Sequence, residues 1–237
     1  MNARSRLGVA RLGTVEYARA LELQDALVAA RRDDLIGDTL LLLEHPHVIT
    51  LGRGADERYL LETRPGVPIF RVSRGGEVTY HGPGQLIGYP ILKLEGRDRD
   101  VHVYLRRLER VMIEALAEMG IDAGRGAGLT GAWVGERKIG SIGVGLRRWI
   151  TLHGFALNVS TDLSYFGAIV PCGIAGVEMT SVARETDGRA QTDAAVIAVE
   201  RAFVSVFGYA RSLEADAAAL WGRVDPTSTG CDAQIRI

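Results

Sequence analysis

A cysteine set between a proline and a glycine is the first residue of this 237-residue chain that could do covalent chemistry. Cys172 stands in AIVPCGIAG, residues 168–176, where Pro171, Gly173 and Gly176 interrupt regular structure on both sides. Its thiol is therefore expected on a turn, not inside a strand or helix as a small buried hydrophobe. A free thiol with a pKa of about 8.5 is only a few per cent thiolate near neutral pH, so a nucleophilic cysteine needs a base or a cation beside it. The candidates are Lys138 and the histidines. Lys138 stands out because Lys93 is the only other lysine among 28 basic residues. A chain that uses arginine almost everywhere keeps a lysine where arginine will not serve, as where a proton must be given up. The second cysteine, Cys231, lies in the polar tail DPTSTGCDAQIRI, and two such cysteines make no disulfide framework. Both read as free thiols.

Three other stretches carry special residues. SRGGEVTYHGPGQL, residues 73–86, combines Arg74, a Gly-Gly pair, Thr79, His81 and Gln85 with glycines that let a ligand or a second backbone approach closely. It reads equally as a long hairpin with a Gly/Pro turn. ERKIGSIGVGLRR, residues 136–148, has three glycines after a lysine, the reverse of the order a phosphate loop requires, so nucleotide binding of that kind is not expected. His45 and His47 would share one face of a strand, but Pro46 and the lack of further ligands nearby argue against a metal clip. No metal is expected. His153 reads either as a satisfied core histidine or as a pocket wall.

These residues need a scaffold, and the composition allows a sizeable core: 47% of residues are hydrophobic and 24% charged. The net charge of −1 gives no global field toward nucleic acid or anionic lipid. The N-terminal stretch has no continuous apolar core of a leader, and the longest apolar run, LLLL in TLLLLEHPHVITLG, is far too short to span a bilayer. A cytoplasmic protein is expected. Apolar spacing predicts helices over 17–32 and 100–120, the second running from a capping aspartate to a terminating glycine, with further helices over 194–208 and 213–224. Between them, short β-branched and aromatic segments at 38–45, 47–52, 67–73, 77–82, 86–92, 130–135, 137–146 and 149–159 read as strands. They follow one another without intervening helices, so the class is α+β: one domain over 1–224 with a mixed, largely antiparallel sheet flanked by helices. Residues 225–237 read as a mobile tail.

RGGEVTYHGPGQL, KIGSIGV, HGFALNV and IVPCGIAG occur in the order and spacing of the lipoyl(octanoyl)transferases, octanoyl-[acyl-carrier-protein]:protein N-octanoyltransferases, and the chain resembles that family over roughly residues 10–210. The resemblance implies the fold shared by the biotin and lipoate protein ligases. It places the family's catalytic dyad at Cys172 and Lys138. It lines the substrate pocket with Arg74, Gly75, Gly76, Glu77, Val78, Thr79, Tyr80 and His81, with Ser141, Ile142 and Gly143, and with Gly154, Phe155 and Ala156. Glu77, Gly140-Ser141 and the stretch VEMTSV depart from the family's usual residues without removing the dyad. The implied donor is octanoyl-acyl carrier protein; the implied acceptors are lipoyl domains of 2-oxoacid dehydrogenase complexes and the glycine cleavage H protein. No cofactor is implied, because the thioester is already activated.

A lipoate-protein ligase on the same fold would continue its pocket motif after the histidine with an aspartate, where this chain has Gly82-Pro83-Gly84-Gln85, and would not need the cysteine. A non-catalytic binder of acyl carrier or lipoyl domains would tolerate loss of either dyad residue; both are present. Two finer expectations follow. Gly75, Gly76 and Gly143 should border an apolar acyl slot, so that leucine at Gly143 would exclude the acyl group while sparing the fold. Arg147 and Arg148, after the glycine-rich strand, should form a basic rim for the acidic carrier.

Overall fold

The computed structural model describes residues 6–173 and 176–224, and the backbone of 234–235; of Cys172 it describes the backbone. The elements run β1 (Leu7–Thr14), α1 (Tyr17–Arg32), β2 (Thr39–Glu44), β3 (Val48–Leu51), β4 (Ile69–Arg71), β5 (Val78–His81), β6 (Gln85–Ile91), α2 (Val101–Glu118), β7 (Ala132–Val134), β8 (Arg137–Arg147), β9 (Ile150–Asn158), α3 (Val182–Glu185), α4 (Thr192–Phe207), β10 (Ser212–Glu214), α5 (Ala217–Trp221) and β11 (Gln234–Ile235). A seven-stranded sheet has the order β10-β1-β2-β6-β9-β8-β7, and a four-stranded sheet the order β11-β4-β3-β5. In the large sheet β1 pairs parallel with β2 and β10, and the remaining neighbours are antiparallel.

The apolar run in β2 shows how the layers form. Side chains alternate across a strand, so Leu40 and Leu42 join the core under α2 and α4, while Leu41 and Leu43 join the core under α1. A strand buried on both faces reads as a continuous apolar run, which is why LLLL belongs to a sheet interior. The small sheet packs Ile49, Leu51, Val78 and Tyr80 against Phe166, Ala168, Ile169 and Met179.

Capping sets the helix bounds. Asp100 accepts hydrogen bonds from the backbone N–H groups of His102 (2.8 Å) and Val103 (3.1 Å), and Gly120, with φ of 78°, ends the run. The helix expected over 213–224 is shorter than its apolar spacing suggests. Asp216 accepts from Ala218 N and Ala219 N, so the helix starts after it, and the residues before it form β10 against β1. Strand β1 itself was not read from the sequence, its alternation being broken by Arg11 and Gly13. Of the tail, Gln234 and Ile235 pair with β4, and the rest lies outside the described residues.

Candidate active site

Where the two sheets meet, the strand β5 of the small sheet and the strands β8 and β9 of the large one enclose a cavity of about 410 Å³, within the range of small-molecule sites. The seam is stitched by Gly75 N donating to Val144 O at 2.9 Å. Arg74 lies beside it, its guanidinium donating to Thr50 O (2.7 Å), Thr50 Oγ1 (2.8 Å) and Gly75 O (3.1 Å). Of the residues expected at a pocket, Arg74, Gly75, Gly76, Glu77, Val78, Thr79, His81, Lys138, Ser141, Ile142, Gly143, Gly154, Phe155 and Ala156 all line this cavity.

Tyr80 does not. Strand alternation turns it to the other face of β5, where its ring stacks on Tyr165 at 4.9 Å between centroids and its hydroxyl meets His47 Nδ1 at 2.8 Å. Two glycines also do something other than border a slot. A Cβ on Gly154 would fall 2.1 Å from Gly88 O, so this residue lets β6 and β9 pair. A Cβ on Gly143 would fall 2.8 Å from Arg74 Cδ and 3.2 Å from Gly75 O, across the seam. Leucine at Gly143 therefore cannot spare the fold as the sequence suggested. Thermal melting of Gly143→Leu should show a loss of about 2–3 kcal/mol, roughly 4–12 °C in Tm, together with any loss of acyl loading; an unchanged Tm would mean that the seam gives way freely.

The polar side of the cavity contains residues that sequence reasoning did not assign: Tyr17 from α1, Tyr89 from β6 and, now resolved as a wall residue, His153 from β9. His153 adopts a left-handed backbone, φ of 55°, held by its N–H donating to Gln24 Oε1 of α1 at 2.7 Å. The three buried histidines, His45, His81 and His153, are neutral. Burial, then the charge of Arg74 and that of Arg147, push His153 down to about 3. Burial, then His45, Arg74 and His153, push His81 down to about 3 against a hydrogen bond to Gln85. Burial pushes His45 down to about 4. Tyr17 goes the other way, up to about 12, chiefly by burial.

Hydrogen bonds fix which nitrogen of His81 carries the proton. Gln85 Nε2 donates to Tyr80 O and to Asn158 Oδ1, and Asn158 Nδ2 donates to Thr180 O. Gln85 Oε1 is therefore the end facing His81 Nδ1, 2.7 Å away, which must donate and leaves Nε2 as an acceptor. His45 is not a metal clip with His47: its Nδ1 donates to Val15 O at 2.6 Å and its Nε2 meets the Tyr89 hydroxyl at 2.8 Å.

Lys138 is 3% exposed and lines the same cavity. Its N–H donates to Glu178 O (2.8 Å) and its carbonyl accepts from Thr180 N (2.9 Å), so the strand carrying it is bridged to the stretch that follows the cysteine. Cys172 sits in a 3-10 turn, Pro171–Gly173, as the flanking proline and glycine suggested. Gly173 N donates to Val170 O, Val170 N to Tyr59 O, and the turn packs on β5. The Cys172 side chain and all of Cys231 lie outside the described residues. Arg147, expected on a basic rim, is half-exposed and paired with Asp25 at 2.7 Å at the far end of β8, so its charge is already shared.

Among the described residues, no helix is long and apolar enough to cross a membrane. The profile of the lipoyl protein ligase A/B catalytic domain matches residues 16–204. An octanoyltransferase of Solibacter usitatus is 59% identical over 168 residues, covering 69% of this chain and 76% of the relative. An octanoyltransferase of Gloeobacter violaceus is 54% identical over 165 residues, covering 68% and 73%. Among solved structures, a lipoate-protein ligase A bound with ATP superposes with a TM-score of 0.70 at 18% identity over 92% of this chain and 93% of that one. A bipartite lipoate protein ligase of Thermoplasma acidophilum gives 0.67 at 19% identity over 93% and 91%. At that distance the structures speak for the fold, and the close relatives for the branch: the chain belongs to the lipoyl protein ligase A/B catalytic family and, within it, to the octanoyltransferases.

Proposed function

We propose that the chain performs its octanoyl transfer through an acyl-enzyme on Cys172, with Lys138 as the partner base, taking the acyl group from an acyl carrier protein thioester in the cytoplasm and passing it to a lysine of lipoyl domains in 2-oxoacid dehydrogenase complexes and the H protein. The observation that carries this reading is the position of Lys138: a buried lysine in the cavity wall whose own backbone is bridged to residues 178–180, just after the Cys172 turn.

The steps follow from ordinary acyl-transfer chemistry. The Cys172 thiolate attacks the thioester carbonyl, the carrier's sulfur leaves with the bonding pair and takes its proton from the Lys138 ammonium, and an octanoyl thioester remains on the enzyme beside a neutral lysine. The acceptor amine then attacks that carbonyl and gives up a proton to the neutral Lys138, and Cys172 leaves as thiolate, which restores the ion pair. A cation about 4 Å from the sulfur, at an effective dielectric near 20, is worth on the order of 4 kcal/mol, enough to favour the thiolate strongly. The apolar wall of Ile142, Phe155 and Ala156 suits the hydrocarbon of the acyl chain. The ligase reading is disfavoured by relatives 52–59% identical to the chain that are octanoyltransferases.

The test is intact mass after mixing with octanoyl-carrier protein in the absence of ATP. One octanoyl adduct is expected on the wild type and on Cys231→Ser, and none on Cys172→Ser. An adduct on Cys172→Ser, or transfer at the wild-type rate by that variant, would end the covalent reading.

A further inference from the structure

Trp133 meets Lys138 in a way the reaction above does not call for. The two are direct cross-strand partners in β7 and β8, and the Lys138 Nζ lies 5.2 Å from the centroid of the indole ring. Trp133 is 4% exposed, so ring and cation meet away from water. The indole N–H makes no hydrogen bond among the described residues, so what the side chain offers the lysine is its face.

The placement is built from several directions. Trp133 exchanges two backbone hydrogen bonds with Gly124, Trp133 N to Gly124 O at 2.9 Å and Gly124 N to Trp133 O at 2.7 Å. A register shift between Ala132 and Trp133 sets the ring opposite Lys138. The loop between Gly124 and Gly131 is held at its far end by Glu109, a fully buried carboxylate of α2 that accepts from Gly131 N, Arg106 and Arg125. A Cβ on Gly131 would come within 2.9 Å of Lys138 Cε, so the lysine stem runs between that backbone and the indole.

We infer that Trp133 is a positioning residue for octanoyl transfer: its ring face holds Lys138 as the ammonium ion and so favours the ion pair over the neutral thiol and amine at the proposed dyad. The inference rests on that dyad. The physical ground is the ring quadrupole, whose negative face attracts a cation most when both are shielded from water. Burial alone pushes a lysine toward its neutral form, so the ring supplies a stabilisation that a strand of aliphatic residues would not.

Among the described residues, the ionisable groups near Lys138 hold defined states. Glu109 is locked to Arg106 and Arg125, and Glu178 to Arg184. His81 and His153 are neutral, and Tyr17 and Tyr89 are protonated phenols. Arg74, bonded to Thr50, and Glu77 also line the cavity wall. A change confined to the indole ring alters none of these groups.

The test reads thiolate formation at Cys172 by its alkylation rate with iodoacetamide across pH, in a Cys231→Ser background, beside the pH profile of transfer. Trp133→Phe keeps an aromatic face and should stay within about 0.3 pH unit of the parent. Trp133→Leu removes the face and should move both profiles upward by about one pH unit, close to tenfold in rate at a fixed acidic pH. Because leucine could disturb packing, fluorinated tryptophans are incorporated in a Trp149→Phe, Trp221→Phe background, withdrawing charge from the ring face at nearly constant shape. A shift that grows with each fluorine is expected. Superimposable profiles across the fluorine series, with Cys172 still acylated, would overturn the role of Trp133 and leave the dyad standing. Failure to acylate Cys172 in the parent would overturn both.

Discussion

Replacing Lys138 by arginine should cut octanoyl transfer by about 10³-fold, nearly as far as replacing it by methionine, although the positive charge is kept. Two physical limits act together. Arginine does not give up its proton near neutral pH, so it cannot receive one from the incoming amine. Its planar fork is also wider than an ammonium, and the room around the lysine is closed by the Trp133 ring and by Gly131, where a single added carbon would already stand 2.9 Å from Lys138 Cε. The measurement is steady-state transfer to a lipoyl domain, paired with the acyl-enzyme burst. The burst should survive in Lys138→Arg better than turnover does, because the first half-reaction needs chiefly the cation and the second needs the base. Full turnover in the arginine variant would reduce the role of Lys138 to its charge.

Acid should destabilise the folded chain well before its carboxylates titrate. His45, His81 and His153 are held at about 4, 3 and 3, against 6.5 in an exposed chain. Between those values the unfolded chain binds protons that the folded chain refuses, so stability rises with pH through this window and is lost as pH falls below 6.5. Each pH unit costs about 1.4 kcal/mol per group, so at pH 5 each histidine removes about 2 kcal/mol. Carboxyls held below their usual range, such as Asp34 by Lys93 and Arg31, contribute only at lower pH. Urea midpoints at pH 7, 6 and 5 should fall steadily, and His45→Gln, which can bond without titrating, should flatten the slope by about a third. A midpoint constant from pH 7 to 5 would mean that the three rings take up protons in the folded state.

What could be read in the sequence, and what could not, divides by range. Asp100 and Gly120 announce the bounds of α2 through chemistry local to the helix ends, and Pro171 and Gly173 announce a turn in the same way. Lys138 was found by scarcity, and the cavity residues by the spacing of four motifs. Trp133 carried no such mark, because its meaning depends on a cross-strand partner and a register shift. Glu109 is by sequence one more charge on a helix, and only the fold buries it against Gly131 and two arginines. Gly143 and Gly154 were visible as glycines, but whether the missing side chain makes room for a ligand or for another strand is decided by what lies across the gap.

The bridge between Lys138 and residues 178–180 has a consequence for how the protein is made. Lys138 leaves the ribosome with its strand, but the backbone groups that pin it are synthesised some forty residues later. At about 5–20 residues per second that is an interval on the order of 2–8 s. During it Lys138 N and O are without their partners, and the turn bearing Cys172 has yet to be made. A chain that ends just before residue 178 would carry Lys138 and Cys172 without the bridge that anchors the lysine strand, the proposed chemistry written in it and no geometry to perform it.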